Sequence, residues 1–229
     1  MANKPDLLVV GSDRSPARAR EDYVKAIYQL SADGPVRAAA LARYLKVSRV
    51  SVSKAKRLLE ADGLIEHGHL PSQPLRLSGR GKRLAIAMVR RHRLLETFLH
   101  QALHVPLQRL HAEAERIEHV ISDDLALRIA ALLHHPQRDP HGHPIPYGKN
   151  TPTLETLPTL ATLNAGCSAR VVSLDDRDDE AVAALASAGI LPGVRLSVEG
   201  SDRKKMFVRH GGSVLSLRRR YAAMVRIGT

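Results

Sequence analysis

The chain has 229 residues; 35 Lys and Arg against 23 Asp and Glu leave a formal net charge of +12, with 44% hydrophobic residues, 12 His and 1 Cys. That apolar share excludes a chain disordered throughout, and no apolar run reaches the ~18 residues of a membrane span. The N-terminus lacks the apolar core and cleavage site of a secretory signal, a lone Cys167 builds no disulfide framework, and the positive surplus suits an anionic polymer. A cytoplasmic protein with a polyanionic partner is therefore expected, with neither a membrane nor a small organic molecule as its target.

Residues 1–18 read as a mobile basic arm. Helical periodicity starts at Glu21, where Tyr23, Ala26, Ile27 and Leu30 share one face, and Gly34-Pro35 ends it. Two further helices fit Ala38 to Leu45 and Ser48 to Asp62, with Gly63 as a C-terminal stop. Two short β-like runs then flank a loop in LIEHGHLPSQPLRLS, completing a winged helix-turn-helix over 19–80. Residues 81–150 contain a helical pair, Gly81 to about His104 and Leu107 to about His134, separated at Pro106 and read as a dimer-forming, effector-sensing unit. Six prolines in 136–160 mark a linker, centred on 151–160. In 161–229, RVVSL, VRLSVEG, MFVRH, SVLSL and AMVRIG read as strands around one helix, Glu180 to Ala188, and suggest a small β-barrel. The class is mainly α with β, and Cys167 is expected to be a small buried apolar group.

Helix-turn-helix logic places Leu41, Leu45, Val52, Leu58 and Leu59 in a core, with Ser48 as N-cap of the reading helix. Arg49, Ser51, Ser53, Lys54 and Arg57 then face outward. Ser51 and Lys54, three apart, suit base edges; Arg49, Lys56 and Arg57 suit phosphates. A basic amphipathic helix is often only a solvated face, but the following hairpin and the net charge favour double-stranded DNA as partner. The loop from His67 to Gln73, the expected wing, carries no arginine.

The chemistry lies further on. His92 and Glu96 are four apart; His111, Glu115, Glu118 and His119 fall within an arc of roughly 100° on the next helix. Two packed helices usually fill such an arc with Leu or Ile, so carboxylates and imidazoles there need partners, and one divalent cation satisfies several. Imidazole with carboxylate suits Mn²⁺, Fe²⁺, Co²⁺ or Zn²⁺. Carboxylate-rich helices also hold dinuclear hydrolase sites, a second reading. A metal-stabilised DNA-binding protein without switching is a third.

Several segments together resemble the diphtheria-toxin-repressor-like (DtxR/MntR) family of metal-dependent regulators: EDYVKAIYQL, VSVSKAKRLLEADGL, LSGRGKRLA, RRHRLLETFL, AEAERIEHVISDD and GHPIP. LASAGILPGVRLSV is similar to the SH3-like, FeoA-type barrel of its longer members. The resemblance implies a primary metal site of Asp22, Glu115, Glu118 and His119. Iron-responsive members hold methionine and cysteine at the positions of Asp22 and Glu115, so the carboxylates here match the manganese-responsive branch. Some of that branch carry a further carboxylate three residues after the first; this chain has Lys25. A second site is implied at His92, Glu96 and His111, with Asp139 and His141 from the following loop and His143 as a spare. The barrel would add a carboxylate from DDRDDE, where Asp176, Asp179 and Glu180 are available and Glu180 aligns best. The resemblance thus implies a homodimeric Mn²⁺-dependent regulator of operator DNA, a repressor of metal uptake, with Fe²⁺ or Zn²⁺ as alternative effectors.

Overall fold

The computed structural model describes residues 15–68, 73–147 and 157–228. Most of the expected arm, the tip of the expected wing and the segment 151–156 lie outside those residues. In chain order come α1 (Pro16–Leu30), α2 (Ala38–Tyr44), α3 (Arg49–Ala61), α4 (Gly79–Leu103), α5 (Leu107–Ile117), α6 (Asp123–Leu132), β1 (Ser168–Leu174), α7 (Asp179–Ser187), β2 (Arg195–Ser201), β3 (Lys205–His210), β4 (Ser213–Arg218), α8 (Arg219–Ala222) and β5 (Val225–Gly228).

Helix α1 begins five residues before the expected Glu21. Ser15 caps it by accepting the Arg18 N–H, and Pro16 supplies a preset first-turn φ, so residues 16–18 belong to a helix and not to an arm. Val24, Ile27, Leu41, Val52 and Leu59 form a core with Val36, Leu64, Ile65 and Leu75. Leu58, expected inside, is 52% exposed because it falls beside Arg57 on the outer face of α3. The two β-like runs make single antiparallel bridges, Ile65 with Leu77 and Val36 with Leu75.

Helix α4 joins two cores. Its 25 residues span about 37 Å. Ala85 and Val89 pack into the helix-turn-helix core, whereas Leu94 and Leu95 pack with Ala114, Ile129, Ala130 and Ile145. The helix expected from Leu107 to His134 is two helices. α5 stops at Ile117, and Ser122 caps α6 by accepting the Leu125 N–H, ahead of Asp123 and Asp124 in its first turn. Glu118 and His119 therefore sit at a helix end and in a turn, not on a continuous helical face.

Residues 136–147 are not a linker. Arg138 bridges Pro144, Asp139 accepts the His143 N–H, and Ile145 is 1% exposed against α4. This loop is wedged between α4 and β1, where Leu174 N–H donates to the His141 carbonyl. Gly142, at φ +92°, is required: a Cβ there would lie 2.1 Å from the Val172 carbonyl oxygen.

The C-terminal strands form an antiparallel sheet in the order β4-β3-β2-β1-β5, matching the five expected strands. The sheet is open rather than a closed barrel, consistent with an SH3-like fold. Leu160, Val171, Leu185, Leu196, Val208 and Val225 fill its core. Cys167 is exposed, not buried, since it precedes β1 in a turn. Among the described residues, no helix is long and apolar enough to cross a membrane.

Where α4 starts, Ser78 Oγ donates to the Gly63 carbonyl at 2.6 Å and accepts the Gly81 N–H at 3.0 Å. A Cβ on Gly81 would lie 1.9 Å from the Leu64 carbonyl oxygen. Gly81→Ala is expected to destabilise the fold by roughly 2–3 kcal/mol through this forced displacement, read as a lowered midpoint of thermal unfolding.

Candidate metal centres and DNA-reading face

Two clusters of carboxylates and imidazoles lie where α1, α4 and α5 meet. The first draws on α1 for Asp22 and on the end of α5 for Glu118 and His119, whose ligand atoms lie within 4.8 Å of one another. His119 Nδ1 faces Glu21 Oε2 at 2.7 Å, so a proton on Nδ1 leaves the Nε2 lone pair directed into the cluster. There Nε2 stands 2.9 Å from Asp22 Oδ1 and 3.4 Å from Glu118 Oε1. Neither Nε2 nor Asp22 Oδ1 has a hydrogen-bond partner, since the approach of the two atoms is misaligned for one.

Glu115 stands beside this trio rather than within it. Its Oε1 meets the Lys25 ammonium at 2.5 Å and lies 3.9 Å from His111 Nε2. Glu118, with no exposed surface, divides its oxygens: Oε1 meets Lys25 Nζ at 2.5 Å and Oε2 meets His92 Nδ1 at 2.6 Å. Burial pushes the Glu118 carboxyl up, but Lys25 and His92 outweigh it and hold it near 2.

The second cluster gathers His92, Glu96, His111 and Asp176, and, sharing Glu96, the trio Glu96, Asp139 and His141. His92 Nε2 lies 3.1 Å from His111 Nδ1 and 3.2 Å from Glu96 Oε1. His141 Nε2–H donates to the Leu107 carbonyl at 3.1 Å, which turns Nδ1 toward Glu96 Oε1, 3.5 Å away. His141 Nδ1, both Glu96 oxygens and Asp139 Oδ2 are buried without a hydrogen-bond partner. Ionised groups left this way cost several kcal/mol apiece, on the order of the effective burial penalty of an ion, unless a cation or proton lies among them. Arg93 Nε stands 3.6 Å from Asp139 Oδ2, too long for a hydrogen bond.

Glu180 does not belong to this cluster. It is exposed in the first turn of α7, where it accepts from Tyr221 Oη at 2.6 Å and pairs with Arg220 at 3.1 Å. Asp176, just after β1, takes that place: its Oδ2 lies 3.6 Å from His111 Nδ1 and 3.7 Å from His143 Nδ1. The turn at 175–178 is what aims it inward. Sequence spacing alone missed Glu21 and Lys25 as contacts of these ligands. The signal for Glu21 was its place beside Asp22; the signal for Lys25 was its i, i+3 spacing from Asp22.

Burial opposes charge on the histidines, and the surrounding carboxylates win. His92 is raised to about 10 by Glu96 and Glu118, His119 to about 9 by Asp22, Glu21 and Glu118, and His141 to about 9 by Glu96. At neutral pH the surrounding carboxylates therefore favour the protonated imidazoles, and a ring that held a metal ion would have to give up its proton. The donor atoms fit a divalent ion: oxygens and imidazole nitrogens, no sulfur, several unpartnered, and two rings whose far nitrogen is pinned by an acceptor.

In the helix-turn-helix, Ser48 caps α3 and accepts the Ser51 N–H at 3.0 Å. Arg49, Ser53, Lys54 and Arg57 are exposed; Ser51 is half-buried, its hydroxyl 2.9 Å from that of Ser48. Lys56, expected at phosphate, turns its ammonium to Glu60 at 3.6 Å.

Three family descriptions match consecutive parts of the chain: "Iron dependent repressor, N-terminal DNA binding domain" at 17–70, "Iron dependent repressor, metal binding and dimerisation domain" at 78–147, and "FeoA domain" at 159–228. The chain is 32% identical over 219 residues to the "Diphtheria toxin repressor" of Corynebacterium glutamicum, covering 90% of this chain and 94% of that protein. It is 35% identical over 193 residues to the "Iron-dependent repressor IdeR" of Mycobacterium tuberculosis, covering 78% and 83% respectively. A solved "Manganese-dependent transcriptional repressor complex with manganese" superposes with a TM-score of 0.82 at 35% identity, over 91% of this chain and 98% of that one.

Two outcomes follow from the geometry. Because the imidazoles are raised to about 9 or 10 in the metal-free protein, each must release its proton to bind, so Mn²⁺ affinity should climb from about pH 6 to about pH 9. Calorimetry in buffers of different ionisation enthalpy should register proton release; none would contradict the raised values. Asp176→Asn should weaken the second cluster's ion about 10–100-fold, whereas Glu180→Gln should leave metal titrations unchanged.

Proposed function

The chain belongs to the diphtheria-toxin-repressor-like family of metal-dependent transcriptional repressors, a family of regulators and not of enzymes, and from that premise we propose that it is a manganese-responsive repressor acting as a homodimer on operator DNA. The unpartnered atoms of Asp22 and His119 carry this reading, because they lie between the reading head and the helix that follows α4. Asp22, Glu118 and His119 would hold a divalent ion there, which would supply two positive charges beside both elements. Asp22 rides on α1, which packs in the same core as α3; Glu118 and His119 ride on the end of α5. Drawing those ligands together fixes the reading head against the rest of the protomer.

In a dimer the same fixation sets the separation of two α3 helices, which must match half-sites one helical turn apart. Val120, Leu125, Leu127 and Leu132, on and beside α6, are apolar and 45–80% exposed, a surface that a second copy would cover. Arg49, Ser53, Lys54 and Arg57 then reach DNA, with Ser51 reaching it only by yielding its contact with Ser48. The ion acts through its higher affinity for the DNA-competent arrangement, and bound DNA must tighten the ion by the same factor.

Manganese is favoured by the donor set at the first cluster, two carboxylates and one imidazole with Glu115 adjacent and no thiolate or thioether. Iron is the second reading, supported by the imidazole-rich second cluster and by the iron-dependent relatives. Uptake genes as the regulated targets follow from the same family reasoning, and the units proposed are 19–80 for reading, 81–150 for metal and dimerisation, and 161–229 for the FeoA-type domain.

Gel-shift titrations test this directly. Operator affinity should fall in chelator and return more fully at saturating Mn²⁺ than at saturating Zn²⁺, because selectivity lies in geometry and not in raw affinity; affinity indifferent to chelation would refute metal switching. Asp22→Ala should lose most of the metal response, on the order of 5–150-fold, while keeping its circular dichroism. Lys54→Ala should weaken operator DNA by roughly 1–3 kcal/mol and random DNA less; equal losses would assign it to phosphate.

A further inference from the structure

Positive charge is spread unevenly along this chain. From Arg203 to Thr229 there are eight Lys and Arg and no Asp or Glu, against a surplus of +12 for all 229 residues. Strand alternation turns Met206, Val208 and Leu217 into the core, so Lys205, Phe207 and Arg209 of β3 share the outer face with Val214, Ser216 and Arg218 of β4. Lys205 stands directly across from Arg218, a like-charge opposition that costs a sheet stability. Arg203 and Lys204 continue the row through the exposed turn before β3. Three carboxylates answer these cations. Glu199 takes Arg209 at 2.8 Å, and Glu180 is shared by Arg218 at 3.4 Å and Arg220 at 3.1 Å. Asp202 accepts the backbone N–H groups of Lys204 and Lys205, at 2.7 Å each. Among the described residues, no carboxylate stands within ion-pair distance of the side-chain charges of Arg203, Lys204 and Lys205.

We propose that this outer face of the C-terminal sheet is a second DNA-binding surface, one that takes the phosphate backbone of duplex DNA without reading its sequence. Cations set in a row along two strands, rather than gathered at one point, fit a partner whose charges also run in a row. Duplex DNA carries one negative charge for about every 1.7 Å of its axis. The opposition of Lys205 and Arg218 is unfavourable by itself and turns favourable when a phosphate lies between them. Phe207, 37% exposed between Lys205 and Arg209 along β3, gives the face an apolar contact as well. DNA is favoured over an anionic membrane on two grounds. A duplex held by α3 is already at high effective concentration for a second contact from the same molecule. The face is also a sheet of alternating side chains, not a helix with a broad apolar stripe. The inference goes beyond the operator reading above, and binding at this face requires no metal.

The test titrates a fluorescent random-sequence duplex with the full-length protein in chelator, reading anisotropy over a series of salt concentrations. The slope of log affinity against log salt should be less steep by about 2–3 in the triple variant Arg203→Gln, Lys204→Gln, Lys205→Gln, near 0.9 for each phosphate contact removed. All three side chains are exposed, so circular dichroism should match the parent's. A control with Arg109→Gln and Arg116→Gln, exposed cations on α5, should keep the parent's slope. An unchanged slope in the triple variant, or an equal flattening per charge in the control, overturns the proposal. Cosedimentation with phosphatidylserine vesicles supplies the membrane arm: vesicle binding lost in the triple variant beside an unchanged DNA slope would overturn the proposal in favour of a lipid surface. The operator reading is judged separately, because the triple variant should still lose operator affinity in chelator and regain it with Mn²⁺ whatever its slope on random DNA.

Discussion

Two carboxylates with no exposed surface, Glu96 and Glu118, set the constraints around which the middle of this protein is arranged. A charge removed from water must be matched, and each is surrounded by groups drawn from distant parts of the chain. Lys25 comes from α1, His92 from α4, and His141 from the loop beyond α6, with Asp176 entering from the C-terminal sheet by way of His111. His92 touches both carboxylates, through Nδ1 to Glu118 and Nε2 to Glu96, so neither cluster changes its protonation without the other. An apolar substitution at this junction would be easier to fold and would give the three parts of the chain nothing to respond with.

The remainder of the architecture holds those parts in register. α4 runs through two cores and keeps its N-terminal half with the reading head and its C-terminal half with α5 and α6. The C-terminal domain grips both sides of the junction. Arg177, next to Asp176, stacks over the Tyr44 ring at 4.7 Å from its centroid, and Arg226 stands 3.6 Å from Asp33. Tyr44 closes α2, one turn before the reading helix. The residue that faces the second cluster and the residue that clasps the reading head are thus chain neighbours, which places the sheet domain in mechanical contact with both.

Much of this was legible in the residues. Periodicity located the helices and alternation located the five strands, because one-sided burial leaves its period in the sequence. The His and Glu spacing disclosed the clusters because polar residues on a packed face demand an explanation. The misreadings have physical causes. Ser122-Asp123-Asp124 is a helix start, but the apolar period continues across it, and so α5 and α6 looked like one helix. Prolines at 136, 140, 144 and 146 looked like a linker, although a proline-rich turn can be as rigid as a strand when its hydrogen bonds are met internally, as Asp139 and Arg138 meet them here. Glu180 and Asp176 differ by four positions in a run of acids, and only the turn before α7 determines which one points inward. Lys25 stands out in the sequence only against the carboxylate that the family resemblance implies there; its contacts with Glu115 and Glu118 come from the fold, which brings α1 to the end of α5.

That lysine has an evolutionary corollary. Lysine and glutamate codons differ in their first base alone, so a single transition in the gene turns the positive end of the 25 side chain into a negative one. The sign of the charge at the contact between α1 and α5 is therefore separated from its opposite by one heritable step.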